Sequence, residues 1–249
     1  MAAAGPAGNG REEIALDIRD LRKHFGGIKA VDGCTFQVPR GKISGLIGPN
    51  GSGKTTTFNL LTGVLQADGG DVIYKGENLV GLRSYEIFRR GISRTFQITR
   101  IYREMTVFEN MLSASSMAMH EREARRRAEE LLAFVTLDKL RGEYGGNLSY
   151  GQQKLLEFAR ALMTDPEVIL LDEPAAGVNR TLLQSLLGHI HTLQEERGKT
   201  ILIVEHDMNV IMNHCEKVFV MDYGEKIAEG PPQEIQRNEQ VIEAYFGRK

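Results

Sequence analysis

Gly48-Pro49-Asn50-Gly51-Ser52-Gly53-Lys54-Thr55-Thr56 joins glycines, a lysine and hydroxyls at the spacing G-x-x-x-x-G-K-[ST], the pattern of a phosphate-binding loop. Glycines let the backbone turn tightly and aim successive N–H groups at phosphate oxygens. Lys54 brings a full charge for β- and γ-phosphates, and the Thr55 hydroxyl is placed to ligate Mg²⁺. Two further stretches carry matching chemistry. Asp172-Glu173 ends an apolar run; there Asp172 would hold Mg²⁺ through its water shell and Glu173 would polarise the water that attacks the γ-phosphorus. His206 follows a second apolar run and is a γ-phosphate contact candidate. Adjacent acids and a lone histidine also occur as plain surface residues; Lys54 and Thr55 in the same chain weigh against that.

These residues need a strand before each turn and a helix behind the glycine loop. Residues 43–47 are apolar and read as a buried strand, and Thr56, Phe58, Leu60 and Leu61 read as the first turns of a helix whose N-terminus faces the phosphates. Residues 168–171 and 200–204 are apolar runs of the parallel, doubly covered kind, which deliver ligand-binding residues at their carboxyl edges.

Other residues stay open on sequence alone. Phe25, before Gly26-Gly27, fits either an ordinary strand-end core residue or a ring stacked on a purine. Gln97 follows a strand-like segment at 91–96; its amide could ligate a metal or hold a water. Ser149, Tyr150, Gly151 and Gln152 open a helical pattern. Ser149 with Gln152 is a capping box, and the same helix N-terminus also suits an anion.

The rest of the chain is framework. Leu16 and Ile18 alternate with charge, as Cys34, Phe36 and Val38 do with Thr35 and Gln37, giving two half-buried antiparallel strands. Thr106 with Glu109 opens a helix expected to carry Met111, Leu112 and Met117. Residues 121–130 read as a solvated helix face, and Leu182 to Leu193 as an amphipathic helix. Residues 217–221 and 226–228 pair as a hairpin, and Val241, Ile242, Tyr245 and Phe246 mark a terminal amphipathic helix. Among 249 residues the formal net charge is −2, so no basic field points to nucleic acid as a partner. Cys34 and Cys215 read as small buried thiols suited to a reducing cytoplasm. No run reaches the ~18 apolar residues of a membrane span, and residues 1–10 lack the apolar core of a signal peptide.

In this order the phosphate loop, Gln97, residues 148–152, Asp172-Glu173 and His206 resemble the ATP-binding-cassette (ABC) family of ATPases from about residue 14 onward. Arg94-Thr95-Phe96-Gln97, residues 103–110, Ala175-Ala176-Gly177 and the ending at 241–247 look most like the ATP-binding subunits of branched-chain amino-acid importers. The resemblance implies an α/β fold: a P-loop NTPase (RecA-like) parallel-sheet core with an N-terminal antiparallel β subdomain and an inserted helical subdomain. It implies one nucleotide-binding domain over residues 13–249 behind a disordered lead-in at 1–12, with the helical subdomain at about 98–163 and a C-terminal helical tail at 231–249.

What it implies chemically is ATP and Mg²⁺ as cofactors. ATP would lie on Gly48, Asn50, Gly51, Ser52, Gly53, Lys54, Thr55 and Thr56 with Phe25 against adenine. Thr55, Gln97 and Asp172 would serve the metal, and Glu173, His206 and Gln97 catalysis. The signature Ser149, Tyr150, Gly151 and Gln152 would close on ATP held by a second cassette, identical or different. Transmembrane permease subunits are then direct partners, a solute-binding protein an indirect one, and the site of action is the cytoplasmic face of the cell (inner) membrane. Tyr150 departs from the family's usual glycine, and Asn179 from a frequent aspartate. Related cassettes serving urea or amide import or lipopolysaccharide export share parts of the pattern. A soluble cassette acting on DNA or ribosomes usually has two cassettes or a long coiled-coil insertion, whereas here Gln97 and Ser149 are 149 − 97 = 52 positions apart.

Overall fold

The computed structural model describes residues 12–95, 100–116 and 119–247. The lead-in apart from Glu12, together with Gln97 and Met117, therefore lies outside the described residues. Strand β1 (Ile14–Phe25) pairs antiparallel with β2 (Ile28–Pro39), setting Leu16 opposite Val38 and Ile18 opposite Phe36. The large buried residues of β1 run Leu16, Ile18, then Leu21, because a bulge at Arg19 and Asp20 shifts the register by one. Asp20 takes the left-handed backbone there, and its N–H donates to Thr35 Oγ1 at 2.8 Å.

The chain then crosses into a second sheet through β3 (Ile43–Ile47), which feeds α1 (Lys54–Leu61). It returns for β4 (Gly69–Tyr74) and β5 (Glu77–Asn78), completing a four-stranded sheet of order β2-β1-β4-β5. Helix α2 (Ser84–Arg89) leads to β6 (Ile92–Arg94), which leaves out Gly91 and Thr95 of the strand expected at 91–96, while Phe96 lies outside the described residues. Three helices follow: α3 (Val107–Ser113), α4 (Glu121–Phe134) and α5 (Tyr150–Ala161). The first ends at Ser113, because its cap carbonyls are already closed by turns from Ala114 and Ser115.

Strand β7 (Val168–Asp172), α6 (Arg180–Glu195), β8 (Thr200–Val204) and α7 (Met208–His214) come next. The hairpin β9 (Lys217–Asp222) and β10 (Glu225–Gly230) and the helices α8 (Pro232–Ile235) and α9 (Glu239–Phe246) complete the chain. The second sheet has the order β10-β9-β3-β8-β7-β6, parallel except for β10.

Alternate residues of its strands serve two apolar cores. Ile169, Leu171, Ile201 and Ile203 face the helices, packing with Leu156, Phe158, Leu186 and Ile190, and that cluster continues to Met111 and Leu131. Val168, Leu170, Leu202 and Val204 face the antiparallel sheet and α1, meeting Phe36, Phe58 and Phe219. Covering both faces is what the unbroken apolar runs required, each buried leucine or isoleucine contributing about 1.5–3 kcal/mol. The terminal amphipathic helix forms as α9, with Val241 buried and Ile242 and Phe246 45% and 86% exposed. Helix α9 buries a narrow stripe, not the whole set of large apolar residues.

Candidate nucleotide site

Strand β3 carries the glycine loop to the carboxyl edge of the parallel sheet, and α1 starts where the loop ends. Helices α3, α5, α6 and α9 each begin with a side-chain oxygen on a backbone N–H. Helix α1 begins instead at Gly53, with no side-chain cap and no acid in its first turn. Its N-terminal donors are thereby kept for an anion. Two glycines are obligatory. Gly48 has φ +153° and Gly53 φ +103°, and a Cβ would overlap the Met221 carbonyl in the first case and the Ala30 carbonyl in the second.

Lys54 is buried, and its ammonium donates to the carbonyls of Gly48 and Pro49 at 2.8 Å each and to Ser52 Oγ at 3.4 Å. Those carbonyls hold the ammonium within the curl of the loop. Burial pushes its pKa down, while the carboxylates of Glu173 and Asp172 oppose that. An open cavity of about 950 Å³ lies here, lined by Asn50, Gly51, Gly53, Lys54, Thr55, Thr56, Glu173 and His206, with Gly27, Ile28, Lys29, Ala30 and Tyr223 on its outer side. Residues from the starts of three loops, far apart in sequence, thus meet in one wall.

Asp172 and Glu173 diverge because the backbone bends between them. Glu173 has φ +48°, and its N–H donates to the Val204 carbonyl of the neighbouring strand at 2.9 Å. Its Oε1 lies 2.7 Å from His206 Nε2. Asp172 points inward, where Oδ2 accepts from Arg94 Nη2 at 2.6 Å. Among the described residues, its other oxygen, Oδ1, is buried with no hydrogen-bond partner. A buried orphan oxygen costs about 1–3 kcal/mol. An oxygen so placed, with the Thr55 hydroxyl at the head of α1, fits a Mg²⁺ that keeps most of its ligands as water and phosphate. No cluster of three or more His, Cys, Asp or Glu able to hold a metal occurs among the described residues, as such a site would need none.

Not every residue expected at a nucleotide lines this cavity. Phe25 ends β1 half-exposed, with Lys23 Nζ 5.6 Å from its ring, and does not line the cavity; Ile28 and Tyr223 do. Gly48 and Ser52 shape the loop without lining the cavity. Ser149 Oγ accepts from Gln152 N at 3.3 Å while Gln152 Oε1 accepts from Ser149 N at 2.9 Å, so the capping box is formed. Ser149, Tyr150, Gly151 and Gln152 stand apart from this cavity. The two departures make local contacts. Tyr150 lays its ring on Gly177, where a Cβ would come within 2.9 Å of it, and Asn179 Oδ1 caps α6 by accepting from Leu182 N at 2.9 Å.

Two residues beyond the motifs hold the site. Glu205, buried, accepts from Ala175 N at 2.6 Å, His206 N at 3.0 Å and Asp207 N at 3.5 Å, tying together the loops that carry Glu173 and His206. Burial pushes its pKa up, those three donors oppose, and the charge of Glu173 adds to the rise. Arg94 is the other. An acid ending an apolar strand and an arginine inside one were visible signals, but their partners lie 30 and 78 positions away.

A lysine-bearing glycine loop at a helix N-terminus, an aspartate on the next-but-one strand and a Glu–His pair above it define a nucleotide-triphosphate-hydrolysing cassette. The family model for the ABC transporter matches residues 31–176, and the model for the branched-chain amino acid ATP-binding cassette transporter matches residues 225–249. The high-affinity branched-chain amino acid transport ATP-binding protein BraF of Pseudomonas aeruginosa is 39% identical, over 93% of this chain and 97% of its own. LivG of Escherichia coli, of the same description, is 38% identical with the same coverage. Among solved structures, a nucleotide-free ATP-binding cassette from an ABC transporter superposes with TM-score 0.86 at 35% identity, covering 94% of this chain and all of that one. A cassette in its ADP conformation gives 0.85 at 35% identity, covering 94% and 99%. The chain belongs to the ABC transporter ATPase family. Within it, the chain is similar to ATP-binding proteins of branched-chain amino acid transport, and it is an ATP-binding hydrolase.

Proposed function

We propose that this chain powers the import of branched-chain amino acids as the ATP-hydrolysing subunit bound to the cytoplasmic face of the inner membrane. The observation that carries the reading is the meeting of Lys54, Thr55, Glu173 and His206 in one cavity, in a chain 39% identical to a branched-chain amino acid transport protein along nearly its whole length. No helix among the described residues is long and apolar enough to cross a membrane, so work on a solute must pass through partner permeases.

In this reading Lys54 and the N–H groups around Gly51 and Gly53 hold the β- and γ-phosphates, and Phe25 reaches adenine. Thr55, Asp172 and Gln97 hold Mg²⁺, which neutralises charge on the phosphates when bound. Glu173 orients a water and takes its proton as the water oxygen bonds to the γ-phosphorus and the bond to the β-γ bridging oxygen breaks, leaving ADP and phosphate. His206 steadies the carboxylate and donates to the γ-phosphate. The signature at Ser149, Tyr150, Gly151 and Gln152 closes on ATP of a second cassette; a related cassette, 27% identical with TM-score 0.78, is described as dimeric.

Residues 98–163 act as the lever. A second cavity, about 820 Å³, opens between α2, β6 and the helices α3 and α5, with Ile87, Phe88 and Ile101 on its walls and Arg100 and Arg160 among its polar residues. It is the socket for a permease helix. The test is purification of the Glu173→Gln form from native membranes with ATP. Recovery of two multi-span permeases with a second cassette supports the reading; recovery only of ribosomal, DNA-associated or lipopolysaccharide-export chains overturns it.

A further inference from the structure

Arg94 lies on β6, one strand beyond Asp172, and both side chains are almost fully buried, 6% and 3% exposed. Its guanidinium reaches in two directions. Nη2 donates to Asp172 Oδ2 at 2.6 Å, while Nη1 donates to Asn59 Oδ1 at 2.7 Å and Thr62 Oγ1 at 3.2 Å. Asn59 and Thr62 lie towards the far end of α1, past Thr55 in sequence, and the guanidinium also lies 5.6 Å from the ring of Phe58 on the same helix. The helix that carries Thr55 in its first turn and the strand that ends with Asp172 are therefore joined through one rigid, planar group.

We propose that Arg94 is a positioning residue for the metal: by holding Asp172 Oδ2 against α1, it aims the other carboxylate oxygen at the ion and keeps it in register with the Thr55 hydroxyl. This rests on the reading of Asp172 and Thr55 as the metal's protein ligands. The buried, unpartnered Oδ1 is what remains once Arg94 has taken the other oxygen. The fork matters as much as the charge. An arginine presents donors in a fixed plane and can hold a carboxylate and a helix at once, whereas lysine is a point charge that can satisfy only one of them in fixed geometry.

The two contributions separate in Arg94→Lys, which keeps the charge and loses the fork. ATP affinity is measured for the full chain in a Glu173→Gln background, once with excess MgCl₂ and once with EDTA. The ratio of the two affinities reads the metal's contribution. Arg94→Lys is expected to cut that ratio about tenfold, the worth of one charge-assisted geometry, and to leave the EDTA affinity within about twofold of its parent. Asn59→Ala keeps the ion pair and removes the anchor on α1; it should lower the same ratio about threefold. It also keeps the proposal testable should the lysine variant not fold. An unchanged ratio in both variants overturns the proposal, as does an equal loss of affinity with and without Mg²⁺. Absence of ATP binding in the parent chain would instead strike at the underlying reading of the site.

Discussion

His206 Nε2 lies 2.7 Å from Glu173 Oε1, although the two residues are 33 positions apart in sequence. The sheet makes the pairing. Strands β7 and β8 are parallel neighbours in register, Asp172 opposite Val204, so the residues just past each strand emerge side by side. Glu173 N then bonds the Val204 carbonyl, and Glu205 accepts N–H groups from both loops. A carboxylate and an imidazole, each able to hold or move a proton, are thus fixed beside the phosphate loop.

Glu173→Gln keeps the shape and the bond to His206 but cannot take a proton. Turnover should fall by about 10²–10⁴-fold, with ATP affinity within about twofold. Steady-state phosphate release and equilibrium ATP binding on the same preparation check this. Near-normal release would remove Glu173 from the role of base.

Gly48→Ala places a methyl on the Met221 carbonyl at a backbone angle of φ +153°. Strain of this kind costs about 1–3 kcal/mol before the clash is counted. We expect a lower unfolding midpoint and loss of ATP binding, read by urea denaturation and nucleotide titration. Wild-type values in both would mean that the loop tolerates a side chain there.

Glu205 gives the fold a pH signature. Burial raises its pKa above the ordinary 4.5. Between 4.5 and that raised value the folded chain holds a proton that the unfolded chain has released. The stability linked to Glu205 is therefore full below 4.5 and lost as pH rises through the raised value. Glu205→Gln cannot ionise, so its unfolding free energy relative to wild type should climb with pH across this window and then level. Urea denaturation at stepped pH measures the difference; a pH-independent difference would contradict the assignment.

Much of this was legible because it is local. The phosphate loop, the strands at 43–47, 168–172 and 200–204 and the capping boxes at Thr106 and Ser149 are written in adjacent residues, and each formed as read. Arg94 and Glu205 were not, because their work depends on partners brought in by strand order. The exposure of Phe246 and the place of Phe25 outside the cavity wall have the same origin: an aromatic residue on a terminal helix or strand end has no periodicity that tells which surface will cover it. Tyr150 and Asn179, departures when set against the family pattern, meet Gly177 and the Leu182 amide, partners 27 and 3 positions away that the motif alone does not name.

The measurement closest to the centre of the account is ATP-driven uptake of labelled leucine, isoleucine and valine by proteoliposomes holding the purified permease complex, with this chain present, omitted, or replaced by its Lys54→Ala form. Accumulation is expected only with the intact chain. Equal uptake without it, or no uptake of any of the three with it, would contradict the assignment.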